Sequence, residues 1–521
     1  MNKQSAITID DRLSQLPKPI LHNILSLLPQ NDAARTCVLS KSWRYLWHGR
    51  LNVEFRDIRP FDGKKEFWSF LDKTLQRYLD QNLSLQKLLV DIRSVAVDFE
   101  LLNKWISMAV TNMRVKSLTL IFRFYGKDKD FPLPLAVFQS ESLVELHLRY
   151  LRLGTLKSDT DNVMLNNLQT LHLQQLDITD EIFEKIISGC PLLENLDLLW
   201  CTFLKTIKLP KHCNIKNFAC LTVDEINIEI ENPQILESVH IEKCRDWFLH
   251  HKNMHFPHLK SLNLYKVHLP ADIFDNFSSF FPCLNELILN NCYGLEEFIL
   301  SSSSIKCLTI MTVPRNMIKA FFDTPNLRYF GFSGDNGFLP SIKFTTTSNE
   351  WKSDITLRYK LEPSDNDATS WFLKLNKLLE TLSQSHITLD LICSNNEKLN
   401  IKDSDGGFYK AVVVEHLQLS GYLSSSSDPA ILNCFLRICR PRYIHMDQYC
   451  DWQAKCNLVE YISKLIPDEK GCYFWLQDLE EVTFEVWDVK TEEWNCVQLT
   501  SLQALYSSQQ KIRFRLTWKE Q

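Results

Sequence analysis

The feature that most constrains this chain is a recurring run of the form apolar-x-x-apolar-x-apolar. It reads Leu85-x-x-Leu88-x-Val90, Val115-x-x-Leu118-x-Leu120, Leu143-x-x-Leu146-x-Leu148, Leu168-x-x-Leu171-x-Leu173 and Leu193-x-x-Leu196-x-Leu198. A degenerate copy, Ile215-x-x-Phe218-x-Cys220, is followed by Leu236-x-x-Val239-x-Ile241, Leu259-x-x-Leu262-x-Leu264 and Leu284-x-x-Leu287-x-Leu289. Ile305-x-x-Leu308-x-Ile310 and Leu327-x-x-Phe330-x-Phe332 close the series. Successive copies start 30, 28, 25, 25, 22, 21, 23, 25, 21 and 22 residues apart. A unit this short offers one strand and one return segment, and cannot bury its own apolar side. Stacked against its neighbours it can, so the spacing predicts a solenoid of the α/β class with a continuous apolar core and a parallel sheet.

In each strand the apolar positions face inward, so the residue between the two core positions faces out. That stripe contains Thr119, His147, His172, Asp197, His240, Asn263, Thr309 and Gly331, flanked by Glu145, Arg149, Gln174, Asn195, Glu242, Tyr265 and Asn290. It is polar and mixed in sign. His147, Arg149, His172, Asp197, His240, Asn263 and Tyr265 are the candidate substrate-binding residues, because curved solenoids bind along the exposed face of the sheet. Between strands lie helix-like pieces such as Asp180–Ser188, and connectors such as Cys190-Pro191-Leu192-Leu193. Cys201, Cys244 and Cys292 follow the strands at equivalent positions.

A different pattern precedes the repeats, over residues 11–47. Pro17 can open a first helix at no cost, since its missing N–H would be unpaired there anyway. Leu16, Ile20, Leu21, Ile24, Leu25, Leu27 and Leu28 cover more than one packing stripe of that helix, and Pro29 ends it. Asn31 or Asp32 can cap a second helix over Ala33, Ala34, Cys37 and Val38; Ser40 can cap a third holding Trp43, Leu46 and Trp47. About 40 residues seldom fold without a staple or a partner, so the surplus apolar face predicts a partner helix.

These residues resemble an F-box in its plant form: Leu16-Pro17, the Ile24-Leu25-x-x-Leu28-Pro29 run, the Ala-rich turn, Val38-Leu39-Ser40-Lys41-Ser42-Trp43 and Leu46-Trp47. The repeats, with their cysteines and Cys-Pro-x-Leu joints, are similar to those of plant F-box/leucine-rich-repeat proteins. The resemblance implies an α/β chain with an N-terminal three-helix F-box at 8–50, linker helices and a first repeat at 51–113, and leucine-rich repeats at 114–335. An irregular repeat-like region would fill 336–521, so that a horseshoe-like solenoid continues less regularly to the C-terminus. It further implies a non-catalytic substrate receptor of an SCF-type ubiquitin ligase. The F-box would dock on a Skp-type adaptor, and through it cullin, while the repeats hold a target protein of unknown identity. The adaptor contacts so implied are Leu16, Pro17, Ile20, Ile24, Leu25, Leu28, Pro29, Val38, Trp43 and Leu46, with Trp43 and Val38 the first candidates for internal core instead. Two alternatives stay open: a hormone or small-molecule co-receptor of the same ligase class, and a non-ligase interaction scaffold.

The joining piece and the C-terminal part read as alternating elements. Helices are predicted over 64–82 and 100–113, forming a rigid link. After residue 335 the period breaks, and strands are predicted near 355–361, 387–393, 411–419, 442–447, 482–489 and 511–518, with helices near 369–383, 429–439 and 453–465.

Composition bounds the function classes. A net charge of −5 without a run of five basic residues argues against a nucleic-acid surface. Only 13 glycines occur, and no phosphate-cradling loop or catalytic motif is present, so no enzyme activity and no cofactor is expected. The 16 cysteines include no Cys-x-x-Cys and read as buried thiols of a reducing compartment. His250, His251, His255 and His258 lie close in sequence, but Pro257 breaks the helix a metal site there would need, so a loop and no metal are expected. No signal peptide and no run of 18 apolar residues is seen, which predicts no membrane partner and a place in the cytoplasm or nucleus.

Overall fold

The computed structural model describes residues 13, 15–28, 30–56, 64–93, 97–123, 131, 133–151, 153, 156, 162–244, 255–269, 272–311, 318–334, 339–345, 350–359, 368–393, 410–421, 428–446, 474–497 and 511–519. They fall into two compact units, residues 1–247 and 248–521.

The first unit opens with three short helices, α1 (Lys18–Leu27), α2 (Gln30–Arg35) and α3 (Lys41–His48). Pro17 sits at the cap position of α1, with its φ of −54° already set for the turn. Ser40 caps α3 by accepting a hydrogen bond from Trp43 N at 3.3 Å. The second helix differs from expectation: Asp32 lies inside its first turn and pairs with Arg35 at 3.0 Å, while Thr36–Val38 form a separate 3₁₀ turn. A strand β1 (Asn52–Arg56) and two longer helices, α4 (Lys64–Asp80) and α5 (Phe99–Thr111), lead into the repeats. Tyr78 of α4 donates its hydroxyl to Arg50 O at 2.6 Å, and Trp105 of α5 donates to Asp72 Oδ1 of α4 at 2.9 Å. Buried bonds of this kind fix one orientation, so the joining piece is stiff as the sequence suggests.

The repeat strands of this unit are β2 (Lys87–Ile92), β3 (Ser117–Phe122), β4 (Glu145–Arg149), β5 (Thr170–Gln174) and β6 (Asn195–Leu199). β8 (Asn217–Leu221) and β10 (Ser238–Glu242) continue the series, and the segments that lead into them carry a small outer pair, β7 (Thr206–Leu209) and β9 (Asn227–Ile230). The main ladder is parallel throughout, in the order β1-β2-β3-β4-β5-β6-β8-β10. Its register aligns the repeats residue for residue: Leu88, Leu118, Leu146, Leu171, Leu196, Phe218 and Val239 stand side by side, all buried. Helices α6 (Leu135–Phe138) and α7 (Asp180–Ser188) are return segments, the latter with the bounds the sequence suggests.

The second unit continues the same construction with β11 (Ser261–Tyr265), β12 (Glu286–Asn290), β14 (Cys307–Met311) and β16 (Tyr329–Gly334). Its return segments include strands rather than helices, β13 (Glu297–Ser301), β15 (Lys319–Asp323) and β17 (Ser341–Thr345), paired in a second parallel sheet. Past residue 335 the main ladder does not stop. It passes to β18 (Trp351–Tyr359), β19 (Ser385–Cys393), β20 (Val412–Gly421) and β21 (Cys439–Met446), with helices Ala368–Thr381 and Asp428–Ile438 as larger returns. An antiparallel group follows: β24 (Ile512–Trp518) pairs with both β21 and β22 (Leu479–Asp488), and β22 with β23 (Glu493–Cys496). The helix expected near 453–465 lies outside the described residues.

The strand ends explain the cysteines. Tyr150, Gln175, Trp200, Lys243, Lys266 and Asn291 each follow the last residue of a strand and all adopt a left-handed φ of 51–60°. That turn aims the next side chain, Leu151, Leu176, Cys201, Cys244, Val267 or Cys292, into the core. There the Cys201 thiol donates to Leu173 O at 3.5 Å and the Cys292 thiol to Leu264 O at 3.4 Å, each reaching the preceding repeat.

Candidate functional site

Two surfaces carry the candidate residues. The first is the three-helix domain. Leu21, Leu25, Ala33, Trp43 and Leu46 form its closed core, with Leu16, Ile24 and Trp47 packed against it. Of the expected adaptor contacts, Leu25, Trp43 and Leu46 are therefore internal, and the helices close on one another through them. Val38, expected as an adaptor contact or else as core, is 85% exposed, because the 3₁₀ turn points it away from the core. Pro17, Ile20 and Leu28 are also exposed, and Pro29 lies outside the described residues. Two residues absent from the expected set stand out: Leu27, 84% exposed, and Leu39. On α1, Leu21 and Leu25 form the inward stripe, while Ile20, Ile24 and Leu27 are spaced i, i+4, i+7 along a second one. The surplus of leucines in the sequence is thus real, and it forms a second apolar face.

The second surface is the outward side of the first unit's main sheet. Register places Thr119, His147, His172 and Asp197 side by side on β3, β4, β5 and β6, with Ala219 and then His240 beyond. His172 Nδ1 and Asp197 Oδ2 are 3.1 Å apart, so the carboxylate orients the ring with the N–H toward itself. His172 Nε2 is buried and without a hydrogen-bond partner among the described residues. The His147 and His172 rings lie 5.5 Å apart. Burial, then the neighbouring His172, pushes the His147 pKa down; burial lowers that of His240 against the pull of Asp197. Both rings are held in their uncharged form near neutrality. The next row along the same face is self-satisfied: Ser117 donates to Glu145 at 2.7 Å, and Asn195 to Thr170 at 3.1 Å. Arg149 lies at the other end of its strand, in the register row of Ile121, Asp91 and Arg56; around Asp91 stand Arg56, Arg93 and Arg123, a group absent from the expected set. Its only trace in the sequence is an arginine at the same offset after two successive copies, Val90-x-x-Arg93 and Leu120-x-x-Arg123.

Asn263 and Tyr265 lie on the equivalent face of the second unit. Further along that face a ring cluster gathers. The Arg513 guanidinium stands 4.3 Å from the Tyr443 ring and 4.1 Å from the Trp494 ring, and its Nε donates to buried Glu485 at 2.6 Å. His416 and His445 share a 3.0 Å hydrogen bond beside it.

Burial raises the thiols of Cys190 and Cys439 to about 12, and those of Cys201, Cys213 and Cys292 to about 11. None is activated as a nucleophile. Among the described residues no three His, Cys, Asp or Glu side chains are arranged to hold a metal ion, and no helix is long and apolar enough to cross a membrane. His255, from the histidine-rich stretch, meets Ser279 O at 2.7 Å; His250 and His251 lie outside the described residues.

Comparison with known proteins agrees with this division. Residues 13–53 match the family model of the F-box domain, and residues 80–253 match that of the At1g61320/AtMIF1 LRR domain. The chain thus carries an F-box followed by leucine-rich repeats. It is similar to the Arabidopsis thaliana F-box/LRR-repeat protein At3g59200, with 36% identity over 36% of each chain. It is also similar to the F-box/FBD/LRR-repeat protein At5g22660 of the same plant, with 36% identity over 38% of this chain and 43% of the relative. A longer match, to the putative F-box/LRR-repeat protein At5g02930, has 27% identity over 58% of this chain and 63% of the relative. In all three the match spans less than two thirds of the relative's length.

Proposed function

We propose that this chain is the substrate receptor of an SCF-type ubiquitin ligase. Its F-box docks on a Skp-type adaptor, and through it on cullin, and the outward face of the repeats holds a protein to be ubiquitylated. One observation carries the first half of the reading: a domain whose core is already closed keeps a second apolar stripe on α1, and leaves Val38 and Leu39 exposed at the 3₁₀ turn after α2. An apolar surface of this kind is held for a partner. The docking residues are then Leu16, Pro17, Ile20, Ile24, Leu27, Leu28, Pro29, Val38 and Leu39, while Leu25, Trp43 and Leu46 act through packing. The stiff joint through α4 and α5 supports the reading, since a receptor must present its cargo at a fixed place. The thiols of Cys190, Cys201, Cys213, Cys292 and Cys439 are raised by burial, in keeping with transfer chemistry on other subunits, although Cys283 and Cys496 are exposed against the expectation of buried thiols. The protein works in the cytoplasm or nucleus.

The test is co-purification with a Skp-type adaptor. The Leu27→Glu, Val38→Glu double variant keeps its helical circular dichroism and binds the adaptor at least about 30-fold more weakly, equivalent to about 2 kcal/mol at a hot spot. Undiminished binding by a folded double variant overturns the proposal.

A further inference from the structure

Two histidines on the sheet face of the first unit stand as neighbours. Register sets His147 of β4 beside His172 of β5, and His172 beside Asp197 of β6. The His147 and His172 ring centroids are 5.5 Å apart, with the ring planes tilted by 37°. His172 Nδ1 lies 3.1 Å from Asp197 Oδ2. A carboxylate can only accept there, so the proton of the neutral ring sits on Nδ1 and Nε2 carries a lone pair. With Nδ1 turned toward β6, Nε2 is turned away from it, to the side on which β4 carries His147. This nitrogen is buried, in a residue 8% exposed, and has no hydrogen-bond partner among the described residues. Native interiors leave few such atoms, and each has a reason.

His147 offers a matching group. Burial, then His172, keeps its ring uncharged near neutrality; Glu145 opposes this, and Arg149 and Lys87 add to it. The uncharged imidazole is the form that ligates a metal. Two imidazoles on one tetrahedral zinc ion, each with a metal–nitrogen bond of about 2.0–2.1 Å, have their ring centres about 5 Å apart. The observed spacing of 5.5 Å reaches that value by small side-chain rotations. In zinc sites a carboxylate on the far nitrogen of a ligating histidine fixes the ring and raises its basicity. Asp197 already holds that place.

We propose that His147 and His172 bind one divalent metal ion of the zinc type, with Asp197 as the positioning residue behind His172. Imidazole nitrogens suit such an ion, whereas magnesium and calcium take oxygen ligands. Among the described residues no third His, Cys, Asp or Glu completes the set. Water therefore fills the remaining coordination positions in the chain alone, on the outward side of the sheet, and a chelator removes the ion reversibly.

The test is a zinc titration of the full chain, first stripped with a chelator, against a competing fluorescent zinc indicator. The parent chain takes up zinc at a site that His147→Ala and His172→Ala each abolish. Asp197→Asn keeps both ligands and weakens the site about ten-fold. The His250→Ala, His251→Ala pair, from the histidine-rich stretch, leaves it unchanged. Circular dichroism confirms that each variant is folded, and His147, only half-buried, is the substitution that disturbs packing least. No uptake by the parent chain at sub-millimolar zinc overturns the proposal. So does uptake that survives in a folded His147→Ala variant, an affinity that Asp197→Asn leaves unchanged, or a site lost in the His250→Ala, His251→Ala pair.

Discussion

His445 shows how far burial alone can retune a side chain on an otherwise solvated sheet face. Burial, then His416 and Arg513, lowers its pKa to about 4. His416 and Arg513 act on it directly, while Glu485 holds Arg513 and Glu415 and Asp354 act on His416. An unfolded histidine takes up its proton near pH 6.5. Between that pH and about 4 the unfolded chain therefore binds a proton that the folded chain refuses, and stability falls as the pH falls through this window. The loss from His445 amounts to about 2 kcal/mol once the screening of a half-buried ring is allowed for. Urea unfolding at pH 7 and pH 4.5 reads this directly: the His445→Gln variant loses less stability over that interval than the parent chain. Gly294 is a residue of another kind. Its φ is +83°, and an added Cβ would lie 2.1 Å from Leu269 O. Gly294→Ala forces the backbones of neighbouring repeats apart and lowers the thermal midpoint by several degrees in a calorimetric scan.

Elements in this molecule are short, and each is held by what it stacks upon. The outer strands make the case. Phe274, Phe298 and Phe322 form a line with ring centroids 4.5 and 5.2 Å apart, and Phe322 meets Phe344 at 5.2 Å, which meets Trp351 at 5.3 Å. This column fills the space between the outer and main sheets of the second unit. Phe322 is fully buried, so Phe322→Ala leaves a cavity across two repeats and costs about 4 kcal/mol. Chemical denaturation checks the figure; a loss below about 1 kcal/mol shows that the column collapses around the gap. These outer strands were not legible in the sequence, whereas all eleven copies of the main pattern were. A main strand repeats its spacing against neighbours on both sides. An outer strand such as Glu297–Ser301 is a five-residue run whose partner lies 22 residues further along, and nothing local separates it from a return helix. The same limit governs the sites. His172 and Asp197 share a repeat position, so their meeting follows from the period. Asp91 and its arginines come from different offsets on neighbouring strands, and only the register brings them together. Val38 stood between two readings, adaptor contact or internal core, and only the 3₁₀ turn of the chain shows it outside the core.

On the scale of the whole molecule, a parallel ladder has a problem that each repeat alone does not: its last strand offers unpaired backbone to any passing chain. In the second unit β21 is the last parallel strand, and β24 covers it in the antiparallel sense with Ile444 opposite Phe514. The cover is fastened by polar contacts of the kind that fix register. Trp518 Nε1 donates to Pro441 O at 2.8 Å, and Arg440 joins Asp478 at 2.7 Å while its guanidinium lies 4.9 Å from the Trp518 ring. Reversal of strand direction matters here, because a further parallel repeat cannot propagate through a strand running the other way. The antiparallel group therefore acts as a stop to the ladder, in the way that terminal units protect other solenoids. Removing residues 498–521 takes β24 away and uncovers β21, together with the apolar face of Ile444. The shortened protein forms soluble aggregates on size exclusion at micromolar concentration while retaining adaptor binding through the F-box of the first unit. A monodisperse product with an unchanged unfolding midpoint means that the ladder closes at β21 without the antiparallel strands.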